Sequence, residues 1–192
     1  MKHTSFRFLP KIFLLFFVLS CSVPTDINDN PLDPEEAVEL EFDTPALVCF
    51  PALQTIPTGP VTIKLFAMGV TDLSGAYVKV KYEKTKLLYN QTIKGDFFND
   101  AQDPIFFYEH NSTDGTITVT TSFLGSDSVA VDGTGSLVEF QFTATSVGTS
   151  TLSIVRDSTG FTETDSSVCE LVGPNDESIE ILGYTDGVII AE

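Results

Sequence analysis

The chain has 192 residues and carries 27 acidic against 10 basic side chains, a formal net charge of −17. A protein this acidic repels nucleic acid and anionic lipid, which excludes both as partners held by charge. Hydrophobic residues make up 42% of the chain, and tryptophan is absent. This composition is sufficient for one domain with a sizeable core.

The first twenty residues have the pattern of a secretory signal. A basic start is followed by an apolar run at residues 12–19, which is far shorter than the about 20 residues that span a bilayer. The basic residues are Lys2, Arg7 and Lys11. We therefore expect residues 1–20 to be removed on export, which changes the net charge from −17 to −20.

The end of this leader, VLSC at residues 18–21, resembles a bacterial lipobox. The resemblance implies cleavage before Cys21 and lipidation of that cysteine, so that acyl chains anchor the protein to the lipid bilayer. Ser22 is not an aspartate, and by resemblance to Gram-negative lipoproteins this favours the outer membrane, with either the periplasmic or the outer face open. The alternative is an ordinary cleaved signal with a chance cysteine.

Residues 21–45 are predicted to be an acidic, flexible tether. The stretch 22–45 holds eight acids, four prolines and no base, and such a segment cannot bury enough apolar surface to order itself. A short helix across residues 35–41 is the alternative, and it would serve the same spacing role. Residues 46–192 then form one domain.

Two cysteines, Cys49 and Cys169, remain in that domain. Exported proteins meet an oxidising compartment, in which two leftover thiols are most simply paired. We therefore predict a Cys49–Cys169 disulfide, with two buried free thiols as the alternative.

The domain is dominated by β signals in chain order. Apolar and polar residues alternate at residues 61–65, 77–82, 116–123 and 138–144, and apolar pairs follow at 152–154 and 188–190. Period-two alternation with β-branched and aromatic residues predicts half-buried strands, and the Gly, Asp, Ser and Thr between them predict turns. Short strands at this spacing predict an all-β, antiparallel sandwich or barrel.

One turn is visible in detail in the stretch VKVKYEKTKLLY, residues 78–89. Residues 83–86 are predicted to form a tight turn, across which Tyr82 and Leu87 both point into the core. Further on, Gly95-Asp96 forms a corner before an aromatic pair, and the chain then runs through GTITV (115–119), a segment at 135–154 and DGVII (186–190).

This ordered series over residues 56–192 resembles the cohesin domain, although Glu83-Lys84 stands where the family usually has Asp-Pro. The resemblance implies a nine-stranded jelly-roll sandwich that binds another protein module, the dockerin, on one flat sheet face. In that family the contact assembles carbohydrate-degrading enzymes on a scaffold or a cell surface.

By the same resemblance, the partner-binding face would be built from strands near residues 77–82, 105–110, 116–122 and 150–155. Its outward residues would include Tyr77, Lys79, Lys81, Thr116, Thr118, Thr120 and Ser122. Short threonine side chains lose little entropy when covered, and lysines supply charge complementarity. A basic island of Lys79, Lys81, Lys84, Lys86 and Lys94 falls in one short stretch. The alternative is an ordinary solvent-facing sheet, because threonine is a good strand former.

No catalytic function is expected. His110 is the only histidine after the leader, and the sequence has no nucleophile elbow, metal-ligand cluster or phosphate loop. Asp127, Asp132, Asp157 and Asp165 are interpreted as solvated loop carboxylates rather than calcium ligands. We expect no cofactor and no metal.

The alternative function is a carbohydrate-binding module, since such modules share the jelly-roll architecture. Polysaccharide binding usually needs exposed aromatic platforms. The candidate rings are Tyr77, Phe107, Tyr108 and Tyr184.

Overall fold

The structure is a computed structural model that describes residues 43–101, 104–123, 130–156 and 168–192. Within these ranges the chain forms thirteen β-strands and no helix. The strands are β1 (Ala46–Phe50), β2 (Leu53–Ile56), β3 (Gly59–Leu73), β4 (Gly75–Tyr82), β5 (Leu87–Lys94), β6 (Pro104–Asn111), β7 (Thr116–Phe123), β8 (Val131–Ala144), β9 (Gly148–Ile154), β10 (Glu170–Val172), β11 (Ser178–Ile179), β12 (Gly183–Thr185) and β13 (Gly187–Ala191).

The strands form two sheets that pack on each other. The smaller sheet has the order β12-β1-β3-β8-β5, and the larger contains β11-β10-β4-β9-β13-β2 with β7 and β6 added beside β4. Pairing is antiparallel except for β1 with β12 and β13 with β2, which are parallel. The predicted all-β antiparallel sandwich is therefore confirmed.

The core lies between the sheets and follows the alternation of the sequence. On β3 and β8 the inward residues face each other in register and are all at most 4% exposed. The pairs are Val61 with Phe142, Ile63 with Phe140, and Leu65 with Val138. Each such side chain stabilises the fold by roughly 1.5–3 kcal/mol relative to an exposed one.

The turn between β4 and β5 carries the chain from the larger sheet to the smaller one. The backbone amides of Lys86 and Leu87 donate to the carbonyl oxygen of Glu83 at 3.0 and 2.9 Å. Tyr82 and Leu87 are both buried in the core, as predicted. The turn is thus the point at which the sandwich is closed from one layer to the other.

The Gly95-Asp96 corner is hydrogen-bonded to β8. The hydroxyl and the backbone amide of Ser136 donate to Asp96 Oδ1 at 2.6 and 2.9 Å. Gly95 lies so close to the backbone of Ser136 that a Cβ at this position would overlap its carbonyl oxygen. Burial alone would raise the pKa of Asp96, but the hydrogen bonds from Ser136 outweigh it and lower that pKa below its ordinary value.

The strand count differs from the nine that the resemblance implied. Pro51, which has no backbone N–H, stands between β1 and β2, and β10, β11 and β12 have only three, two and three residues. The additional strands are therefore short pieces at the margins of the two sheets.

The structure does not contain the predicted disulfide and has its alternative, because Cys49 and Cys169 are free buried thiols. Cys49 faces the core from β1 in the smaller sheet, whereas the Cys169 thiol is hydrogen-bonded to the backbone of β4 in the larger sheet. Burial raises the pKa of Cys49 to about 12 and the pKa of Cys169 to about 11. Each thiol is held protonated in its own site.

Several predictions fall outside the described ranges. These are the leader at residues 1–20, the lipidated Cys21, the tether up to residue 42, and Asp127, Asp157 and Asp165. The described part of the chain contains no helix that is long and apolar enough to span a membrane.

Candidate functional site

Four strands of the larger sheet lie side by side in the order β6-β7-β4-β9. They are the four strands on which the cohesin resemblance places a binding face. Because side chains alternate along each strand, every second residue points away from the core. We call this outward surface of β6, β7, β4 and β9 the outer face.

The register of β6, β7 and β4 aligns their outward residues in rows across the sheet. One row is Phe107, Thr120 and Tyr77, the next is Glu109, Thr118 and Lys79, and the third is Asn111, Thr116 and Lys81. All the predicted face residues on β4 and β7 therefore share one side of one sheet.

Their accessibility differs, and two of the predicted contacts are corrected by the structure. Lys79 is 0% exposed and Thr116 is 4% exposed, so neither is available to a partner in this conformation. Thr116 begins β7 directly after a turn whose Gly115 carbonyl accepts the amide of Tyr82. Lys81 and Thr120 are exposed, and Tyr77, Thr118 and Ser122 are half-buried.

The burial of Lys79 coincides with a junction in the hydrogen-bond ladder of β4. On the side away from β7, residues 75–77 pair with β10 and residues 80–82 pair with β9. Between them, the Lys79 amide donates to Cys169 Sγ at 3.2 Å and the Lys79 carbonyl accepts from the Val155 amide at 2.9 Å. The Cys169 thiol thus fills the gap that β10 and β9 leave between them beside β4.

Phe107 also belongs to the outer face, although the sequence pattern predicted it only as a candidate ring for polysaccharide binding. It is 68% exposed, the most accessible of the large apolar residues described. Its side chain flanks a depression of about 510 Å³ whose lining also includes Tyr77, Glu109, Thr118 and Thr120. Alternation along IFFYE was the available signal, because it places Phe107 and Glu109 on the same side.

A second depression, of about 420 Å³, adjoins the first across Tyr77 and Thr120. It is lined by Gly75 and Ser122, which are paired across β4 and β7, and by the turn after β10. Gly75 has no side chain, which leaves this end of the outer face lower than its middle. The face therefore offers two adjoining recesses rather than one deep pocket.

The predicted basic island is divided in the structure. Lys79 is buried, and Lys94 lies at the end of β5 in the other sheet. Lys84 Nζ donates to the Thr113 carbonyl, and Lys86 Nζ donates to the Thr149 carbonyl and pairs with Glu83. Only Lys81 of this group stays exposed on the outer face, where Glu109 supplies the opposite charge.

His110 sits in an aromatic cluster between the two sheets. Its Nε2 lies 2.8 Å from the Tyr82 hydroxyl, and its ring stacks on Tyr89 with centroids 3.9 Å apart. Burial lowers the pKa of His110 below its ordinary value. Within the described ranges, no group of three or more His, Cys, Asp or Glu side chains could hold a metal ion.

The four candidate sugar-binding rings do not share a surface. Phe107 and Tyr108 are consecutive on β6 and point to opposite sides of the sheet. Tyr184 lies on β12 of the smaller sheet, where Arg156 stands over its ring at 5.1 Å. Of the four rings, Tyr77 and Phe107 share the outer face, in one row across Thr120.

The two packed sheets and the continuous outer face place this chain in the class of β-sandwich domains. Within that class, the sequence profile of the cohesin domain matches residues 56–181. The chain therefore belongs to the cohesin domain family. No protein with a curated description matches the sequence.

Solved structures of the same fold are distant in sequence. A type II cohesin domain from the cellulosome of Acetivibrio cellulolyticus is 17% identical, with a TM-score of 0.64 over 77% of this chain and 95% of that one. A non-cellulosomal cohesin from the archaeon Archaeoglobus fulgidus is 12% identical, with a TM-score of 0.57 over 77% and 90%. The third cohesin ScaC of Acetivibrio cellulolyticus, solved in complex with the ScaB dockerin, is 15% identical, with a TM-score of 0.59 over 76% and 97%. At these identities the likeness supports the fold, and it supports no transfer of individual contacts.

Proposed function

We propose that this protein is a recognition module whose outer face binds a dockerin-type partner protein. The observation that carries the proposal is the contiguity of β6, β7, β4 and β9, which places one row of accessible residues across a single sheet. Membership in the cohesin family supports a dockerin as the partner class, and one solved structure of the same fold is itself a cohesin–dockerin complex.

The chemistry of the outer face suits protein recognition. Phe107 and Tyr77 offer aromatic area with few rotatable bonds, which is the usual composition of interface hot spots. Thr118 and Thr120 can be covered at small entropic cost, and both retain a hydroxyl for hydrogen bonds. Lys81 and Glu109 add charges that select a partner by complementarity more than they add affinity.

The direct test is isothermal titration calorimetry of the protein against a panel of purified dockerin modules from its own source organism. We expect at least one module to bind with a one-to-one stoichiometry. A panel in which every module fails, while a control cohesin captures its own dockerin, would contradict the proposed partner class.

We also propose that the domain is displayed from a membrane. The signal-like leader and the lipobox-like residues 18–21 support lipidation of Cys21, and residues 22–45 provide a spacer of ~27 Å by the flexible-chain relation. Ser22 favours the outer membrane. Expression with an alkyne-tagged fatty acid should label the protein, and Cys21→Ser should abolish the label and release the protein into the soluble fraction. Labelling that survives Cys21→Ser would contradict the anchor.

In this arrangement the protein holds a partner at the cell envelope and performs no reaction itself. We propose that the partner carries a polysaccharide-degrading module, as the cohesin family implies. Identification of the modules fused to the dockerins that bind in calorimetry tests this link. Dockerins fused only to modules that do not act on polysaccharides would refute it.

A further inference from the structure

Strand β6 forms an edge of the larger sheet that lacks the usual protection. Its eight residues pair with β7 in an uninterrupted register, and no other described strand pairs with it. Edge strands in soluble proteins are normally kept short, bent by bulges or lined with lysine, because their open backbone groups recruit other strands. β6, with the sequence PIFFYEHN, contains no lysine and no bulge, and its protective features are limited to Pro104 at its first residue and the charge of Glu109.

The other sheet margins in the described ranges follow the protective rule. β5 is as long as β6, but it has a register shift between Tyr89 and Gln91 and ends in Lys94. β2, β12 and β11 have only four, three and two residues. Among these margins, β6 is therefore the long, regular and apolar one.

Both sides of this edge present aromatic surface. Phe107 is exposed on the outer face, and Tyr108, 49% exposed, points to the opposite side of the sheet. On that side, the margins of β5 and β6 enclose a cleft of about 410 Å³ lined by Leu88, Tyr89 and His110. A strand laid along β6 would cover Phe107 with one set of its side chains and Tyr108 with the alternate set.

We propose that β6 is a second binding site, which accepts an extended segment of a partner polypeptide as an added antiparallel strand. The backbone groups of β6 that point away from β7 supply the hydrogen bonds, as in other cases of strand addition. The cleft between the margins of β5 and β6, whose lining includes Leu88 and Tyr89, receives one apolar side chain of the segment. This site is the rim of the sheet; it borders the outer face proposed for the dockerin and shares Phe107 with it.

The charge of the chain indicates which kind of polypeptide segment can pair with β6. The protein has a net charge of −17, and Glu109 is the acidic residue of β6, while Lys84 is the basic residue that lines the adjoining cleft. A second copy of this chain would bring an equal negative charge to the contact, which opposes self-association at moderate salt. The segment that fits is therefore basic, with valine-like or aromatic residues alternating with lysine, arginine or threonine.

The test uses the uniformly ¹⁵N-labelled protein and a synthetic ten-residue peptide, blocked at both ends, in which valine alternates with lysine and threonine. We expect the alternate backbone amides of residues 105–111 that point away from β7 to exchange roughly tenfold more slowly at saturating peptide. A matched peptide with glutamate in place of lysine should bind at least ~10-fold more weakly, because charge is the selecting term.

Two controls distinguish backbone pairing of the peptide with β6 from binding through its side chains alone. A lysine peptide that is N-methylated at every second residue keeps its side chains but loses its pairing donors, and it should no longer protect β6. Tyr108→Ala should weaken binding by ~5–10-fold through lost apolar contact. Leu53 is an exposed apolar residue on β2, at the opposite margin of the sheet, and Leu53→Ala should leave peptide binding unchanged.

Equal binding of the N-methylated and unmethylated peptides would overturn the proposal. Protection that appears at β2 or β5 instead of β6 would do the same. A concentration-dependent dimer that Tyr108→Lys dissolves would show that the occupant is a second copy and would refute the basic partner. Dockerin binding is tested independently through Tyr77, which lies on the outer face two strands away from this rim.

Discussion

Replacement of Phe107 by alanine is the most informative change on the outer face. An aromatic side chain can bury ~150–250 Å², and 68% of Phe107 is exposed in the free protein. About 135 Å² is therefore available to a partner, which at ~25 cal/mol/Å² sets an upper limit of ~3 kcal/mol. Ordering costs and incomplete coverage reduce this in real interfaces. We expect Phe107→Ala to weaken dockerin binding by ~1.5–2 kcal/mol, or ~10–30-fold in Kd.

The assay is calorimetry at 25 °C with a dockerin that binds the unaltered protein. The matched control is Ile93→Ala, because Ile93 is 39% exposed on β5 of the smaller sheet and lies off the outer face. Thermal melts should show that both variants stay folded, since neither side chain is in the core. An effect below twofold for Phe107→Ala, together with a large loss for Ile93→Ala, would refute the assignment of the outer face.

Three further predictions concern the fold that presents this face. Gly95→Ala should destabilise the protein by about 3 kcal/mol or more in urea unfolding, because the added methyl overlaps the Ser136 carbonyl; a neutral result would contradict the close approach. Cys49 and Cys169 should resist iodoacetamide at pH 8 in the native state, since burial raises their pKa to about 12 and about 11, and both should react after unfolding; rapid native labelling would refute their burial. Asp96 has a lowered pKa when folded, so its contribution is present above the unfolded value of about 3.8 and is lost as pH falls through the folded pKa. Asp96→Asn should therefore cost ~1 kcal/mol at pH 7, limited by solvent screening, and less at pH 3; an equal cost at both values would show that the charge plays no part.

Local patterns in the sequence predicted the layers of the sandwich well. Alternation along β4 identified its inward side, and the turn at 83–86 was recognisable from a charged break between two apolar strands. The positions of Tyr82 and Leu87 in the core follow directly from that turn, because each is adjacent to it. Contacts between residues a few positions apart are within reach of such reasoning.

The failures involve contacts between distant parts of the chain. Alternation alone makes Lys79 a solvent-facing residue, yet its side chain is buried. Cys169 is 90 positions away, so no local pattern reveals that its thiol completes the β4 ladder. The predicted disulfide is absent from the structure, and cysteine count and compartment say nothing about which backbone groups each thiol meets. Phe107 is different, because local alternation along IFFYE is sufficient to place it on the outer face with Glu109.

Hydroxyl-radical footprinting of the full chain, with and without a bound dockerin, tests most directly whether the outer face is the binding surface. Tyr77 and Phe107 should lose several-fold in oxidation rate in the complex, while Leu88 and Ile93 on the smaller sheet should oxidise at their free rate. Protection of Leu88 and Ile93 with Tyr77 and Phe107 unchanged would place the partner on the other sheet and contradict the account.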